Sequence, residues 1–180
     1  MPMFDNTTVS MVIYAMELLR EQIRSANSPK IIEMLYSIDG DDKLEIIRAL
    51  EGTCRFLGTE ESQQISSELL YAFLHYAILR CSHVEKDIRF MASKCLIALT
   101  HYPKTQEMAL RQLSHLLDRG DYVTKMAIVS RIRQIQDANY EELHYMLRKA
   151  SVDANYRVRM LAEREKQALI SDGVIIERND

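Results

Sequence analysis

The amino-acid sequence predicts an all-α protein in which successive helix pairs stack into a right-handed α-α superhelix. The first observation is a recurring five-residue segment, with copies at 88–92, 123–127 and 158–162 and a weaker copy at 47–51. The three stronger copies follow one another at intervals of 35 residues, a period typical of arrays with one helical hairpin per repeat. The second observation is that five glycines and three prolines in 180 residues favour long helices with short connections.

The predicted elements are one leading helix followed by four helix pairs, nine helices in all, in a single domain covering 1–180. In each pair the second helix carries the recurring segment. In chain order they are a leading helix at 7–25, pairs at about 29–57, 60–101, 104–136 and 140–170, and a short tail at 171–180.

Helix boundaries are predicted from residues that cap the free N–H groups at a helix start or interrupt the backbone hydrogen bonds at a helix end. Side-chain oxygens of Ser, Thr, Asp and Asn accept from the free N–H groups at a helix start, and glycine or proline commonly follows an end. The predicted starts are marked by Asn6 or Thr7, Ser28-Pro29, Asp42, Thr59, Asp121, Asn139 and Asp153. The predicted ends are marked by Gly40, Gly58, Pro103, Gly120 and Gly173.

Apolar spacing identifies the side of each second helix that faces the core. Residues at i, i+3, i+7 and i+11 share one helix face, and Ile88, Met91, Cys95 and Leu99 have this spacing. In the first repeat the corresponding inward residues are Leu44, Ile47, Leu50 and Cys54, which makes Cys54 equivalent to Cys95. In the last repeat the stripe turns polar at Glu165 and Lys166, as expected of a terminal repeat with nothing stacked on it.

The helix pairs resemble HEAT repeats, members of the armadillo-like α-solenoid superfamily. The resemblance lies in the second helix, where a turn acid precedes an aliphatic-Arg pair and then small and aliphatic residues. It implies a polar ladder between neighbouring repeats, with structural roles for Asp87, Arg89, Asp153 and Arg159. The third copy departs from the pattern because Thr124 stands in place of the arginine.

Composition sets limits on the class of protein. Hydrophobic residues make up 47% and charged residues 27% of the chain, and the net charge is −3. No apolar run approaches the roughly 18 residues that a membrane span needs, and the start lacks the features of a signal peptide. Three irregularly spaced cysteines favour a reducing environment, so we expect a cytoplasmic protein with no membrane partner.

The sequence contains no recognisable catalytic, cofactor-binding or metal-binding motif. Cys81, His83, Cys95 and His101 suggest zinc by residue type, but their spacing matches no zinc pattern. The five histidines accompany no nucleophile motif, and glycine-rich phosphate loops are absent. We therefore expect no catalytic residues, no cofactor and no metal.

The leading hypothesis for function is a non-enzymatic scaffold that binds a protein or peptide on its concave face. A candidate surface lies on the second helices of the last two repeats, because basic side chains concentrate there. The alternative is binding of nucleic acid through the same helices, as in HEAT-like alkylpurine DNA glycosylases. A weaker alternative is an enzyme like the HEAT-like phycobilin lyases, by fold analogy. The candidate residues are Lys125, Arg131, Arg133, Arg157 and Arg164.

The oligomeric state stays open at this point, with a monomer favoured. The tail residues Val174-Ile175-Ile176 follow a polar segment and have no obvious core to join. They either fold back on the chain or pair with a second copy.

Overall fold

A computed structural model describes residues 28–37, 42–135 and 140–174, and all regular structure in these ranges is helical. The predicted all-α class is thereby confirmed for the described part of the chain. The leading helix predicted at 7–25 and most of the tail lie outside the described residues, so the count of nine helices stays a prediction. The elements are α1 Ser28–Ser37, α2 Lys43–Leu57, a 3₁₀ helix Glu60–Gln64, α3 Ser67–Arg80, α4 Lys86–Leu99, α5 Gln106–Arg119, α6 Tyr122–Val129, a second 3₁₀ helix Ile132–Ile135, α7 Tyr140–Ser151 and α8 Tyr156–Ser171.

The even-numbered helices form one continuous layer, called here the even-helix layer. Helix α2 packs on α4, α4 on α6, and α6 on α8. Among the odd-numbered helices, α1 packs on α3 and α5 packs on α7. Within the pairs, α3 packs on α4 and α7 on α8. The superhelical twist and its handedness stay predictions.

One hydrophobic core extends along the array from Ile31 in α1 to Leu169 in α8. The alanines that close the three strong copies of the recurring segment are all buried in the even-helix layer. An alanine side chain ends at Cβ, so a buried alanine allows another helix to approach closely and gain dispersion contacts. The recurring segment therefore lies on the buried side of these helices.

The core-facing stripe of α2 is displaced by one residue along the sequence from the predicted stripe. The buried positions are Ile46, Leu50, Thr53 and Leu57, whereas Leu44 is 55% exposed. The same spacing recurs in α4 as Ile88, Ala92, Cys95 and Leu99, each 42 residues further on. The predicted equivalence of Cys54 and Cys95 is therefore wrong, since Thr53 occupies the position that matches Cys95.

Two helices predicted as continuous are interrupted. The helix predicted from residue 60 begins as a 3₁₀ helix, and α3 starts only at Ser67 with Ser66 as its cap. The buried Ser62 hydroxyl accounts for the interruption, because it contacts the Tyr102 hydroxyl and also donates to the Leu57 carbonyl oxygen at 3.1 Å. These contacts hold the 3₁₀ helix Glu60–Gln64 against the end of α4, so the segment does not continue as an α-helix.

The second interruption separates α6 from the 3₁₀ helix at Ile132–Ile135. The Ser130 hydroxyl donates to the Ala127 carbonyl oxygen at 3.0 Å, and so takes an acceptor that a continuing α-helix would use. The following turns use shorter-range bonds, such as Arg131 N–H to the Ile128 carbonyl. The helix predicted to reach residue 136 therefore ends at Val129.

The start of α6 requires a residue without a side chain at position 120, and this requirement can be tested. A Cβ on Gly120 would lie 2.4 Å from the Leu116 carbonyl oxygen, whereas one on Gly58 would lie 3.4 Å from the Arg55 carbonyl oxygen. We expect Gly120→Ala to lower the free energy of unfolding by about 1–3 kcal/mol, because a backbone atom has to move. Gly58→Ala is the matched control and is expected to change it by less than about 0.5 kcal/mol. Urea unfolding of both variants measures the difference, and equal effects would contradict the assignment.

Candidate functional site

A row of ion pairs crosses the even-helix layer near the N-terminal ends of its helices. Its members are Lys43 Nζ with Glu85 and Asp87 at 3.0 Å each, Arg89 Nε with Asp121 Oδ2 at 2.7 Å, and Lys125 Nζ with Asp153 Oδ2 at 2.6 Å. In every pair the earlier helix supplies the cation and the segment at the start of the later helix supplies the carboxylate. We call these contacts the ion-pair row.

Arg89 ties two turns together because its guanidinium contacts both. Its Nη1 donates to the carbonyl oxygens of His83 and Val84, each at 2.7 Å, in the turn before its own helix. Its Nε donates to Asp121, which also caps α6 by accepting from the N–H groups of Val123 and Thr124. The planar fork of arginine can serve both sets of acceptors at once.

Arg159 repeats half of this arrangement. Its Nη1 donates to the carbonyl oxygens of Asp153 and Ala154 at 2.6 and 2.9 Å, as Arg89 does in its own turn. Asp153 was predicted to cap α8, but Asn155 holds that position, and Asp153 accepts from the Asn155 N–H instead. This placement frees the second Asp153 oxygen for Lys125.

Of the four residues that the HEAT resemblance singles out, three lie in the ion-pair row and Arg159 binds its own turn. The resemblance did not indicate their partners Lys43, Asp121 and Lys125. The sequence predicts Asp121 as a helix cap, but not as the partner of Arg89. Lys125 directly follows Thr124, so the cation is displaced by one residue where the arginine is missing. Thr124 itself donates to Asp121 at 2.7 Å.

Two acids of the ion-pair row, Asp121 and Asp153, have lowered pKa values. Burial alone would raise the pKa of Asp121, yet hydrogen bonds from Thr124 and Arg89 hold that pKa below its usual value. Burial acts in the same way on Asp153, where the Lys125 ammonium and the Asn155 N–H outweigh it and lower the pKa. Both carboxylates are therefore more stable as anions in the folded chain than in the unfolded chain.

Two of the five candidate binding residues are engaged in ion pairs. The Lys125 side chain is only 14% exposed and contacts Asp153. Arg133 Nε contacts Glu165 at 2.8 Å, and its Nη1 lies 3.5 Å from Asp172. Glu165 is buried and pairs α8 with the 3₁₀ helix Ile132–Ile135, instead of forming the expected polar outer surface. Lys125 and Arg133 thus belong to the packing between helices.

The other three candidates, with Lys94, lie outside the buried core. On α4, Phe90 and Lys94 are one turn apart and point away from the buried stripe, and on α8 Arg157, Met160 and Arg164 do the same. The Arg131 guanidinium lies 4.9 Å from the centroid of the Phe90 ring. Among the described residues, none of the four cations has an ion-pair partner. We call this surface the outward face, made of Phe90, Lys94, Arg131, Arg157, Met160 and Arg164.

A cysteine lies at the edge of the outward face. The Cys54 thiol is half-buried on α2, and the groups that act on it are Cys95 and Lys94 of α4, Arg131 after α6, and Glu51 of its own helix. A hydrogen bond with Cys95 lowers the pKa of Cys54 to about 7, and the charges of Lys94 and Arg131 assist it, while burial and the Glu51 carboxylate oppose it. Sequence reasoning missed this grouping because the one-residue error on α2 placed Cys54 on the core stripe.

A cleft of about 640 Å³ lies between α5 and α7. Asp118 contacts Lys149 at 2.5 Å and Ser114 donates to Glu142 at 2.6 Å, and both contacts join α5 to α7. Glu107 contacts Arg111 at 2.8 Å within α5. Four of the charged groups that line the cleft are therefore already paired with one another.

Two absences among the described residues bear on function. Within residues 28–37, 42–135 and 140–174, no three His, Cys, Asp or Glu side chains converge as metal ligands would. In the same ranges, no helix combines the length and apolar character required to cross a bilayer.

Comparison of this chain with protein-family models, with the curated proteins and with the solved structures found no match. The likeness to HEAT repeats therefore stays a prediction made from the recurring segment and its period.

The ion-pair row predicts that removing Asp153 destabilises the fold more than removing Glu107. Asp153 is 9% exposed in its pair with Lys125, whereas Glu107 is 86% exposed in its pair with Arg111. We expect Asp153→Ala to lower the free energy of unfolding by about 2–4 kcal/mol, because Lys125 and the Asn155 N–H lose their partner. We expect no measurable change for Glu107→Ala. Chemical denaturation measures both, and a small effect of the Asp153 change would contradict an energetic role for the row.

The same row predicts a loss of stability in acid. Because the folded-state pKa values of Asp121 and Asp153 are lowered, their contribution is complete above the unfolded value of about 3.9 and is lost as pH falls through the folded values. We expect the unfolding midpoint to fall steeply below about pH 4, and less steeply in Asp153→Asn. A pH series of thermal unfolding tests this, and parallel curves for the two proteins would contradict it.

Proposed function

We propose that the chain is a non-enzymatic binding module whose outward face holds an acidic segment of a protein or peptide. The observation that carries the proposal is the group of four cations on this face that lack ion-pair partners among the described residues. The cations of the ion-pair row, in contrast, are already paired. A carboxylate brought to the outward face therefore displaces no existing ion pair.

The outward face combines charge with apolar area. Met160 is 54% exposed between Arg157 and Arg164, and the ring of Phe90 supports the Arg131 guanidinium. A stacked guanidinium loses little side-chain entropy on binding, and its free edge suits a carboxylate. Exposed Met beside Arg is typical of surfaces that accept peptides of varied sequence. These features support an acidic segment that also carries apolar residues.

The alternative of nucleic acid is weakened by the pairing of Lys125 and Arg133, which removes two of the five proposed contacts. Affinity for nucleic acid depends mainly on the number of phosphates that free cations neutralise. The net charge of −3 adds no long-range attraction for a polyanion. The acidic peptide is therefore the better-supported occupant.

The test compares two charge-reversal variants with the same change in net charge. The first is Lys94→Glu, Arg157→Glu and Arg164→Glu together on the outward face. The control is Arg111→Glu, Arg119→Glu and Arg148→Glu, which are exposed on the odd-numbered helices. A display library of random peptides is selected on the unaltered full chain, and selected peptides are then titrated against each variant by fluorescence anisotropy.

We expect selected peptides rich in Asp and Glu with interspersed apolar residues. Reversal on the outward face should weaken their binding at least tenfold, or about 1.4 kcal/mol, while the control should not. Equal weakening by both variants, or selection of peptides without acids, would contradict the proposal. A labelled single-stranded oligonucleotide is titrated in parallel, and tighter binding of it, with a steep dependence on salt, would favour the nucleic-acid alternative.

A further inference from the structure

Cys54 and Cys95 face each other across the contact between α2 and α4. The Cys95 thiol is fully buried and donates to the Leu50 carbonyl oxygen at 3.0 Å, and its side chain interacts with that of Cys54. Leu50 is one helical turn before Cys54, so this contact brings the side chain of α4 onto the backbone of α2. Close approach of two helix backbones is the condition that a disulfide between them needs.

The two thiols differ in exposure and in their charged neighbours. Cys54 is half-buried at the edge of the outward face, with Lys94 and Arg131 beside it, and Cys95 is enclosed by the core. Nearby cations stabilise a thiolate and the negative charge that develops when it attacks an oxidant. This arrangement separates an accessible, activated sulfur from a protected sulfur behind it.

We propose that Cys54 and Cys95 are a redox-reactive pair, in which Cys54 reacts with a hydroperoxide and Cys95 then closes a disulfide within the chain. This inference goes beyond the proposed binding function and does not depend on what the outward face holds. The lowered pKa of Cys54 supports it by providing thiolate at neutral pH.

The proposed chemistry consumes one hydroperoxide and releases water. The Cys54 thiolate attacks the peroxide, an S–O bond forms, the O–O bond breaks, and the departing oxygen takes up a proton. The Cys95 sulfur then attacks the Cys54 sulfenic acid, an S–S bond forms, and the S–O bond breaks as hydroxide leaves with the Cys95 proton as water. Two thiols are oxidised by two electrons in total, and the peroxide is reduced. A dithiol reductant reverses the bridge.

Cys81 provides an internal control in the same fold. It is buried near Cys95, and burial raises its pKa to about 12, so it holds almost no thiolate at neutral pH. In the folded chain, the proposal predicts that peroxide oxidises Cys54 faster than Cys81. In the unfolded chain, both cysteines are exposed and should react alike.

The experiment treats the full folded chain with hydrogen peroxide and maps its cysteines by mass spectrometry without reduction. We expect loss of two hydrogens and a peptide pair joined through Cys54 and Cys95, both in the unaltered chain and in Cys81→Ser. In Cys95→Ser the bridge cannot form, so Cys54 should persist as a sulfenic acid that dimedone labels. Circular dichroism confirms that each variant is folded.

A second measurement needs no cysteine variant. Alkylation of the unaltered chain by iodoacetamide across a pH series should show Cys54 reacting roughly tenfold faster at pH 7 than an ordinary thiol, with a midpoint near pH 7. Arg131→Gln should move this midpoint upward. Equal oxidation rates of Cys54 and Cys81, or over-oxidation of Cys54 without a bridge to Cys95, would overturn the proposal.

Discussion

The close approach of neighbouring even-numbered helices is the constraint on which the rest of the structure depends. Ala92, Ala127 and Ala162 recur in these helices at a constant interval, and all three are buried. Once these contacts are made, the starts of successive helices lie side by side. The acids that cap or precede those starts are then within reach of cations on the preceding helix, and the ion-pair row follows from the packing.

The same packing divides the polar residues into two populations. Lys43, Arg89 and Lys125 are held by acids at the start of a later helix and contribute to cohesion between helices, while Lys94, Arg157 and Arg164 on α4 and α8 have no ion-pair partner among the described residues. A cationic side chain is therefore paired only where a neighbouring helix places an acid within its reach. Residue type alone does not show whether a cation is paired. The basic residues grouped in the sequence therefore include both paired and unpaired cations.

The periodic part of the structure could be predicted from the sequence, because it repeats. The buried alanines, the cap at Asp121 and the all-α class follow from local pattern. The errors arose where a contact between distant residues overrides the pattern. Ser62 is fixed by Tyr102, 40 residues away, and Lys125 is fixed by Asp153. The weak first copy at 47–51 led to a shift of one residue, and on a helix this rotates every side chain by about 100°. That rotation concealed the neighbouring thiols.

The ion-pair row has a direction, since each cation comes from the earlier helix and each acid from the segment that begins the later one. A repeat unit that begins with an acid and carries its cation further along is complementary to a copy of itself in tandem. Duplication of one such unit within the chain would create a new junction with matched charges on both sides. The charge order thus favours growth of the array by tandem addition of whole repeats.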